Sequence, residues 1–324
     1  MSRDCVIEAR IMADLLAIYR HATRARLLSE RLRELARAGR IGFHPEGRAF
    51  EPAICAAILA MRDEDHVFPS AREQAAFIAR GIELERYVSN AFGTSEDPMC
   101  GHTAPAHLSS RQLRIGSPSG LISNHLTHAA GFAWASALTR EPAAVLAFFG
   151  ASAADAGDFH SAVNFAGATK SPIVFFCRTD RTTTDRLPSP TESVAEKAIG
   201  YGIEGVTCAA HDMHGVATTV ERALSRARSG DGPVLIEAIL QDPNDPLDML
   251  RALLIEQQGW DPRRDLDLRR ETMIDIEAAV QKAMEAGPPA RETVFDHVFA
   301  ELPQHLETQR DHLLAAPSFP EKTR

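Results

Sequence analysis

The sequence has few of the features that mark several common classes of protein. Its five cysteines are scattered and include no Cys-x-x-Cys pair, which argues against both a disulfide framework and a zinc site. No apolar run is long enough to span a bilayer, and the first twenty residues mix charged and apolar residues at a helical period, unlike a signal peptide. We therefore expect a soluble, cytoplasmic protein that does not bind a membrane.

Positive charge is also scarce. The formal net charge is -9 and the pI is near 5.8, and basic residues gather only in short arginine patches within residues 20–40. Leucine and alanine separate these arginines at helical spacing, which is typical of a solvated or subunit-facing helix surface. The charge pattern therefore predicts no nucleic-acid partner.

What the sequence does have is apolar content. Its 324 residues are 44% hydrophobic, which is enough for a sizeable core. We expect one domain over residues 1–324, in which N-terminal helices (1–45) precede an α/β core (46–242) and C-terminal helices (243–324).

Strands and helices alternate in the middle of the chain. Short apolar runs at 143–149, 172–177, 205–208 and 233–240 read as strands. Helical patterns lie between them at 158–170, where Asp158 stands at the expected N-cap, and at 213–228. This alternation predicts a mostly parallel sheet with helices on both faces and a ligand site at the carboxyl ends of the strands. Gly150 and Thr179 mark two of those ends.

The rest of the chain is mostly helical. Further helices are predicted at 6–38, 51–61, 71–92, 271–286 and 292–314, with an irregular connection at 93–114 and a turn at 259–265.

Several chemistries are disfavoured by the residues present. The stretch GASAADAG (150–157) lacks the lysine of a P-loop and the spaced glycines of a dinucleotide site, and Ser152 is not in a G-x-S-x-G turn. A metal cluster of Asp97, His102 and His107 is conceivable, but a loop of satisfied polar residues is the simpler interpretation.

Five segments together resemble one family. They are RELARAGRIGFHP (33–45), EDHVFPSARE (64–73), FFGASAADAGDFHSAVNFAGATKSPIVFFCR (148–178), PVLIEA (233–238) and DPLDMLRALLIEQQGWD (245–261). In collinear order across roughly residues 15–313, the sequence resembles the α subunit of thiamine-diphosphate-dependent 2-oxoacid dehydrogenases, most of all the branched-chain type. The resemblance implies a thiamine-diphosphate-binding fold.

In that family the α subunit carries the cofactor's diphosphate and Mg²⁺, and a β subunit completes the site, commonly in a heterotetramer. The resemblance thus implies thiamine diphosphate and Mg²⁺ as cofactors and a β-type subunit, or a homo-oligomer, as partner. The metal-binding turn of the family, G-[DE]-G, is Gly150-Ala151-Ser152 here. A methyl group cannot ligate a hard cation, and Ser152 replaces the glycine that admits the diphosphate. Asp180 replaces the family's asparagine ligand and is the one candidate metal ligand.

The other cofactor-facing positions are partly kept. Arg72 and Arg178 match arginines that face the diphosphate, although either can instead form an ordinary salt bridge. Gly120 and Ile122 match the segment that receives the aminopyrimidine. Ala71 replaces a tyrosine that binds the diphosphate, and His125 replaces a glutamine.

The resemblance also shows an absence. After Glu237 and Ala238 the family continues into a loop with a catalytic histidine, whereas this sequence passes directly into the next helix. His211 and His214 are interpreted as surface or capping residues, so no catalytic residue is assigned.

These features support two hypotheses. The first is a catalytically inactive or impaired paralogue with a structural or regulatory role in a complex. The second is an active thiamine-diphosphate-dependent enzyme for oxidative decarboxylation of a branched-chain 2-oxoacid with a β subunit. A repurposed site for another ligand is a third possibility. The Thr- and Pro-rich segment 179–192 is predicted to be mobile unless a partner holds it.

Overall fold

A five-stranded parallel sheet forms the centre of the protein. The structure, a computed structural model, describes residues 3–47, 49–182, 192–296 and 298–317, with side chains from Leu15 onward. The strands are β1 (His66–Phe68), β2 (Val145–Gly150), β3 (Ile173–Asp180), β4 (Glu204–Ala209) and β5 (Val234–Leu240). All pairs are parallel, in the order β1-β2-β3-β5-β4. This arrangement confirms the predicted α/β class.

Helices precede, separate and follow the strands. The described helices are α1 (Arg3–Arg37), α2 (Glu51–Leu59), α3 (Gln74–Ala79), α4 (Leu84–Phe92), α5 (Asn124–Leu138), α6 (Gly157–Thr169), α7 (Met213–Arg228), α8 (Pro246–Gln258), α9 (Pro262–Ala286), α10 (Thr293–Asp296) and α11 (Gln304–Ala315). Two 3₁₀ helices lie at Ala151–Asp155 and Ala195–Tyr201. In the part of the chain that the structure describes, no helix is both long and apolar enough to cross a bilayer.

Several predicted elements differ from those observed. The single helix predicted over 71–92 is wrong, because α3 and α4 are separated at Gly81, whose φ is +87° and whose neighbour Ile82 donates its N–H to the Phe77 carbonyl. Helix α9 begins at Pro262, nine residues before the predicted start, with Asp261 as its N-cap. The pattern did not predict β1 or α5.

The sheet separates two apolar layers because successive side chains of a strand point to opposite faces. Phe148 of β2 and Phe176 of β3 join the larger cluster, which also holds apolar side chains of α1, α2 and α7. Phe149 and Phe175 join the smaller cluster with residues of α5 and α6. The continuous apolar strands therefore reflect burial on both faces.

Helix α2 is buried almost all round, against α1, α3, α7 and α8. It carries one charge inward: Glu51 accepts from Nε and Nη2 of Arg26 at 2.6 and 2.9 Å. The same guanidinium donates to Asp245 at 2.8 Å. This network fixes α1, α2 and the start of α8 to each other.

Candidate functional site

The predicted site lies where β2 and β3 end side by side. Gly150 is the last residue of β2, and its Cα partner in β3 is Arg178. Strand β3 continues two residues further, to Asp180. The carboxyl ends of these strands therefore bring Gly150, Arg178 and Asp180 together, as the sequence predicts.

The chain turns after β2 into a short 3₁₀ helix, Ala151–Asp155. Ala151 is half-buried and Ser152 is exposed. The next carboxylates along the chain have partners: Asp155 pairs with Lys197 at 3.2 Å, and Asp158 accepts from Asn124 at 3.3 Å. Asp158 lies inside the first turn of α6, which has Ala156 as its N-cap, so the predicted capping role of Asp158 is wrong.

Asp180, the candidate metal ligand, is exposed and already engaged. Its Oδ1 accepts from the backbone N–H of Thr182 at 2.9 Å and from the Thr182 hydroxyl at 2.6 Å. This local turn orients the carboxylate along its own chain. Among the described residues, no group of three or more His, Cys, Asp or Glu side chains is placed to hold a metal ion.

Arg178 is held from two sides. Its Nε forms an ion pair with Glu73, whose side chain is fully buried, and its guanidinium lies 5.6 Å from the centroid of the Phe50 ring. Glu73 is fixed in turn by the Ser70 backbone N–H at 2.6 Å. The ion pair uses the Nε edge of the guanidinium. Because a guanidinium carries donors on more than one edge, the terminal nitrogens of Arg178 are not used by Glu73. No motif or spacing in the sequence marks Glu73 or Phe50 as part of this site.

Arg72 is exposed and turns toward the segment before α2. Its Nη1 donates to the Glu46 carbonyl at 2.8 Å. Gly47 permits this close approach, since a Cβ there would lie 2.1 Å from the Arg72 carbonyl oxygen. Of the two predicted arginines, Arg178 has a terminal nitrogen next to Gly150, whereas Nη1 of Arg72 is engaged by the Glu46 carbonyl.

The segment predicted to receive an aminopyrimidine lies beside the turn. Ser123 donates its hydroxyl to the Ala153 carbonyl at 2.7 Å, which ties the end of this segment to the 3₁₀ helix. Ile122 is 70% exposed, and a Cβ at Gly120 would lie 3.7 Å from Nε2 of His107. The segment that holds Gly120 and Ile122 is thus joined to the 3₁₀ helix after β2 through Ser123, the residue that follows Ile122.

His125, the second residue of α5, is buried. Its Nε2 lies 2.7 Å from the Phe148 carbonyl and must donate, because a carbonyl only accepts. Burial lowers the pKa of His125, so the ring is neutral and serves as a fixed brace between α5 and β2.

Glu237 of β5 organises the far side of the site. This fully buried carboxylate accepts from the Thr179 hydroxyl at 2.7 Å, from the Ser193 hydroxyl and from the Ala195 N–H at 3.0 Å. Glu237 thereby links Thr179 of β3 to Ser193 and Ala195. The prediction of a mobile segment falls mainly on residues 183–191, which lie outside the described residues.

The connection after β5 is short. Strand β5 ends at Leu240 and α8 begins at Pro246. Asp245 caps α8 by accepting from the Leu247 N–H at 2.9 Å, while its other oxygen receives Arg26 at 2.8 Å. The short connection expected from the sequence is thus present, and its last residue, Asp245, belongs to a partly buried ion-pair network with Arg26.

The remaining candidate residues have structural partners. Asp97 accepts from the Asn90 side chain and from the N–H groups of Met99 and Gly101, which fits a loop of satisfied polar residues. Asp212, rather than His211 or His214, caps α7.

Comparison with known proteins agrees with this architecture. A family model described as "Dehydrogenase E1 component" matches residues 19–241, more than half of the chain. The Bacillus subtilis 2-oxoisovalerate dehydrogenase subunit alpha is 29% identical over 312 residues, covering 87% of this chain and 94% of the relative. The mitochondrial 2-oxoisovalerate dehydrogenase subunits alpha of mouse and human are each 26% identical. They cover 93% and 92% of this chain, and 74% and 73% of their own lengths. The chain belongs to the dehydrogenase E1 component family and is similar over most of its length to α subunits of the branched-chain type.

Proposed function

We propose that this protein is an α-subunit-like member of its family that is catalytically inactive or impaired and acts in a complex, in a structural or regulatory role. The observation that carries the proposal is the donor set at the strand ends. Where the β2 turn approaches β3, the residues offer one carboxylate, Asp180, and a methyl group at Ala151.

This donor set does not fit a diphosphate-bound Mg²⁺. The cation requires near-octahedral oxygen ligands at about 2.1 Å, and the Ala151 side chain supplies none of them. Asp180 already accepts two hydrogen bonds through Oδ1, and Asp155 and Asp158 are engaged with Lys197 and Asn124. No step through the metal is therefore assigned to this chain.

The short connection after β5 supports the same proposal. Residues 241–245 leave no room for a loop bearing a catalytic histidine, and Asp245 is committed to Arg26 and to the α8 N-terminus. Inserting a loop between β5 and α8 would disturb the ion pair of Arg26 and Asp245, so we expect such an insertion to destabilise the fold.

Exposed aromatic side chains support association with another chain. Trp134 of α5 and Phe165 of α6 are 40% and 39% exposed and pack edge to face with centroids 5.7 Å apart. Leu138, one turn beyond Trp134 on α5, is 64% exposed and extends this patch. We name these three residues the α5–α6 patch. Clustered exposed aromatics are typical of protein interfaces. The relatives are named as alpha subunits, so we propose a β-type subunit as the partner, with a homo-oligomer as the alternative.

Co-expression with a β-type subunit encoded in the same genome tests this association. We expect the two chains to co-purify, and Trp134→Arg to weaken the complex at least tenfold because a charge replaces a hot-spot side chain. Leu266→Arg, at an exposed apolar position on α9, is the matched control and should leave the affinity unchanged. No complex with the β chain, and a monomer by light scattering, would contradict the proposal.

One observation favours the alternative of an active enzyme. A Cβ built at Gly150 would lie 3.9 Å from Nη2 of Arg178, so a cation next to the β2 turn supports this alternative. Turnover of a branched-chain 2-oxoacid by the purified complex with thiamine diphosphate and Mg²⁺ would establish that alternative.

The cytoplasmic location and the division into residues 1–45, 46–242 and 243–324 of a single domain are also proposals. The printed names of the mouse and human relatives include "mitochondrial", so fractionation of the source cells is the direct test of location.

A further inference from the structure

The two edges of the sheet differ in what covers them. At β1, the Val67 N–H donates to the Arg114 carbonyl at 2.9 Å and the Gly116 N–H donates to the Val67 carbonyl at 2.8 Å, so residues 114–116 cover that edge. At the other edge, β4 pairs only with β5 among the described residues, and none of its six residues is buried. Within the described chain, the outer side of β4 therefore presents main-chain N–H and C=O groups that have no strand partner.

Strand β4 also lacks the features that usually protect an exposed edge. Its sequence, EGVTCA, contains no proline and no lysine. Its register with β5 advances one residue at a time from Glu204 to Ala209, without a bulge. Such an edge is a template for a further strand, which would bind through main-chain hydrogen bonds.

A cleft beside β4 can take side chains of such a strand. It lies between β4 and α7 and has a volume of about 300 Å³. Val206 of β4, Ala223 of α7 and Val234 of β5 give it an apolar lining. Because side chains alternate along a strand, every second side chain of an added strand would face this cleft.

The charges in the cleft favour an acidic occupant. Glu204 pairs with Arg226 at 3.1 Å, and Arg226 also donates to the Asp231 carbonyl at 3.1 Å. Arg222, one turn before Arg226 on α7, lines the cleft and is exposed. In the part of the chain that the structure describes, Arg222 forms no ion pair. A carboxylate on the added strand, directed toward α7, supplies a partner for this cation.

The same charges disfavour a second copy of this chain at the edge. If two β4 edges paired antiparallel about a two-fold axis, the α7 helices of both copies would lie on the same face of the joined sheet. Their arginines, Arg222 and Arg226, would then approach those of the other copy, and such like-charge contacts are unfavourable.

We propose that the outer edge of β4 binds an extended segment of another protein, which adds a strand to the sheet and directs an acidic side chain to Arg222. An apolar side chain two positions along the segment would lie against Val206. This edge is separate from the α5–α6 patch, because α7 packs in the larger apolar cluster and α5 and α6 in the smaller one, on the opposite face of the sheet.

Nuclear magnetic resonance titration of the full-length protein with capped heptapeptides tests the edge. The probe is acetyl-TVTETVT-amide, whose valines and glutamate share one face of a strand. We expect it to shift the amide resonances of residues 204–209 and to slow their exchange with water, with a Kd of at most about 1 mM. The peptide TVTKTVT reverses the charge, and TVTEPVT loses a main-chain donor. Both should bind at least about tenfold more weakly.

The role of Arg222 has a charge-reversal readout. Arg222→Glu should invert the preference, so that the lysine peptide binds more tightly than the glutamate peptide. Arg86→Glu, at an exposed arginine of α4, is the matched control and should bind as the unaltered protein does. If the unaltered protein bound both charged peptides equally, or if a folded Arg222→Glu variant kept the original preference, the role of Arg222 would be wrong.

Three outcomes would overturn the strand addition itself. The first is no change at the β4 amides with glutamate peptide up to about 10 mM. The second is equal binding of the proline peptide, since the contact would then not use the main chain. The third is a shift of the β4 amides with protein concentration alone, together with a dimer in sedimentation, which would place a second copy at the edge. None of these outcomes bears on the proposed loss of metal binding at the β2 turn.

Discussion

Restoring an acid and a glycine at the β2 turn should create a response to Mg²⁺. The perturbation is Ala151→Asp combined with Ser152→Gly. Gly150 and Arg178 are Cα partners, so Ala151 lies one residue and Asp180 two residues beyond that pair. Neighbouring strands lie about 4.8 Å apart, and the chain leaves β2 at Ala151, so we take about 6 Å as the order of magnitude for the separation of these two Cα atoms. The introduced carboxylate and that of Asp180 can therefore reach the same cation.

The expected energies have opposite signs with and without the metal. Without a cation, two exposed carboxylates about 6 Å apart repel by about 1 kcal/mol, for effective dielectric constants between about 40 and 80. That lowers the Tm by about 2 °C in a chain of this size. With Mg²⁺ and thiamine diphosphate at about one hundred times Kd, binding stabilises the fold by about 2.7 kcal/mol and raises the Tm by about 5 °C.

Thermal unfolding at low ionic strength, in EDTA and in Mg²⁺ with thiamine diphosphate, measures both effects. Ser152→Gly alone is the control, because it opens the turn without adding a ligand. We expect no Mg²⁺-dependent shift in the control or in the unaltered protein. A folded double variant without any Mg²⁺ response, or an equal response in the unaltered protein, would show that Ala151 is not what prevents Mg²⁺ from binding.

Three further predictions concern the framework that holds the site. Arg26→Met leaves Glu51 and Asp245 without their cation and should cost about 3–5 kcal/mol of unfolding free energy in a denaturant titration, whereas Arg24→Met, at an exposed pair, should cost less than about 1 kcal/mol. Burial lowers the pKa of His44 from 6.5 to about 4. The unfolded chain therefore binds a proton that the folded chain does not, stability falls as the pH drops from about 6.5 toward 4, and His44→Gln should flatten that fall. Gly47→Ala places a Cβ 2.1 Å from the Arg72 carbonyl oxygen and should lower the unfolding free energy by about 1–3 kcal/mol. Gly42→Ala, with open space around it, is the control and should leave the stability nearly unchanged. Equal Tm values for the two glycine variants would contradict the packing at Arg72.

The sequence is most informative where local pattern and burial agree. The alternation of apolar runs with helical segments predicts β2, α6, β3, α7 and β5 to within a few residues, because continuous apolar strands and amphipathic helices carry a clear period. Strand β1 is too short to show any period. Helix α5 is rich in alanine and has apolar residues on its exposed side, such as Trp134, so its pattern does not separate a buried face from a surface one.

The position of the candidate site can be predicted from the order of the strands, but the contacts of its side chains cannot. Position at a strand end follows from chain order, so Gly150, Arg178 and Asp180 meet where the sequence places them. The partner of Arg178 does not follow, since Glu73 is 105 positions away and nothing in its surroundings distinguishes it from a surface glutamate. Long-range ion pairs such as Arg178–Glu73 and Arg26–Asp245 depend on the packing of whole elements, which periodicity does not encode.

We propose that the β2 turn does not hold a metal-bound cofactor and that the chain nevertheless assembles with a β-type subunit. The direct measurement is a calorimetric titration of the complex with a β-type subunit, using thiamine diphosphate in Mg²⁺ and in EDTA. We expect the complex to form and any cofactor binding to be weak and equal in the two conditions. Micromolar binding that requires Mg²⁺ would contradict the claim.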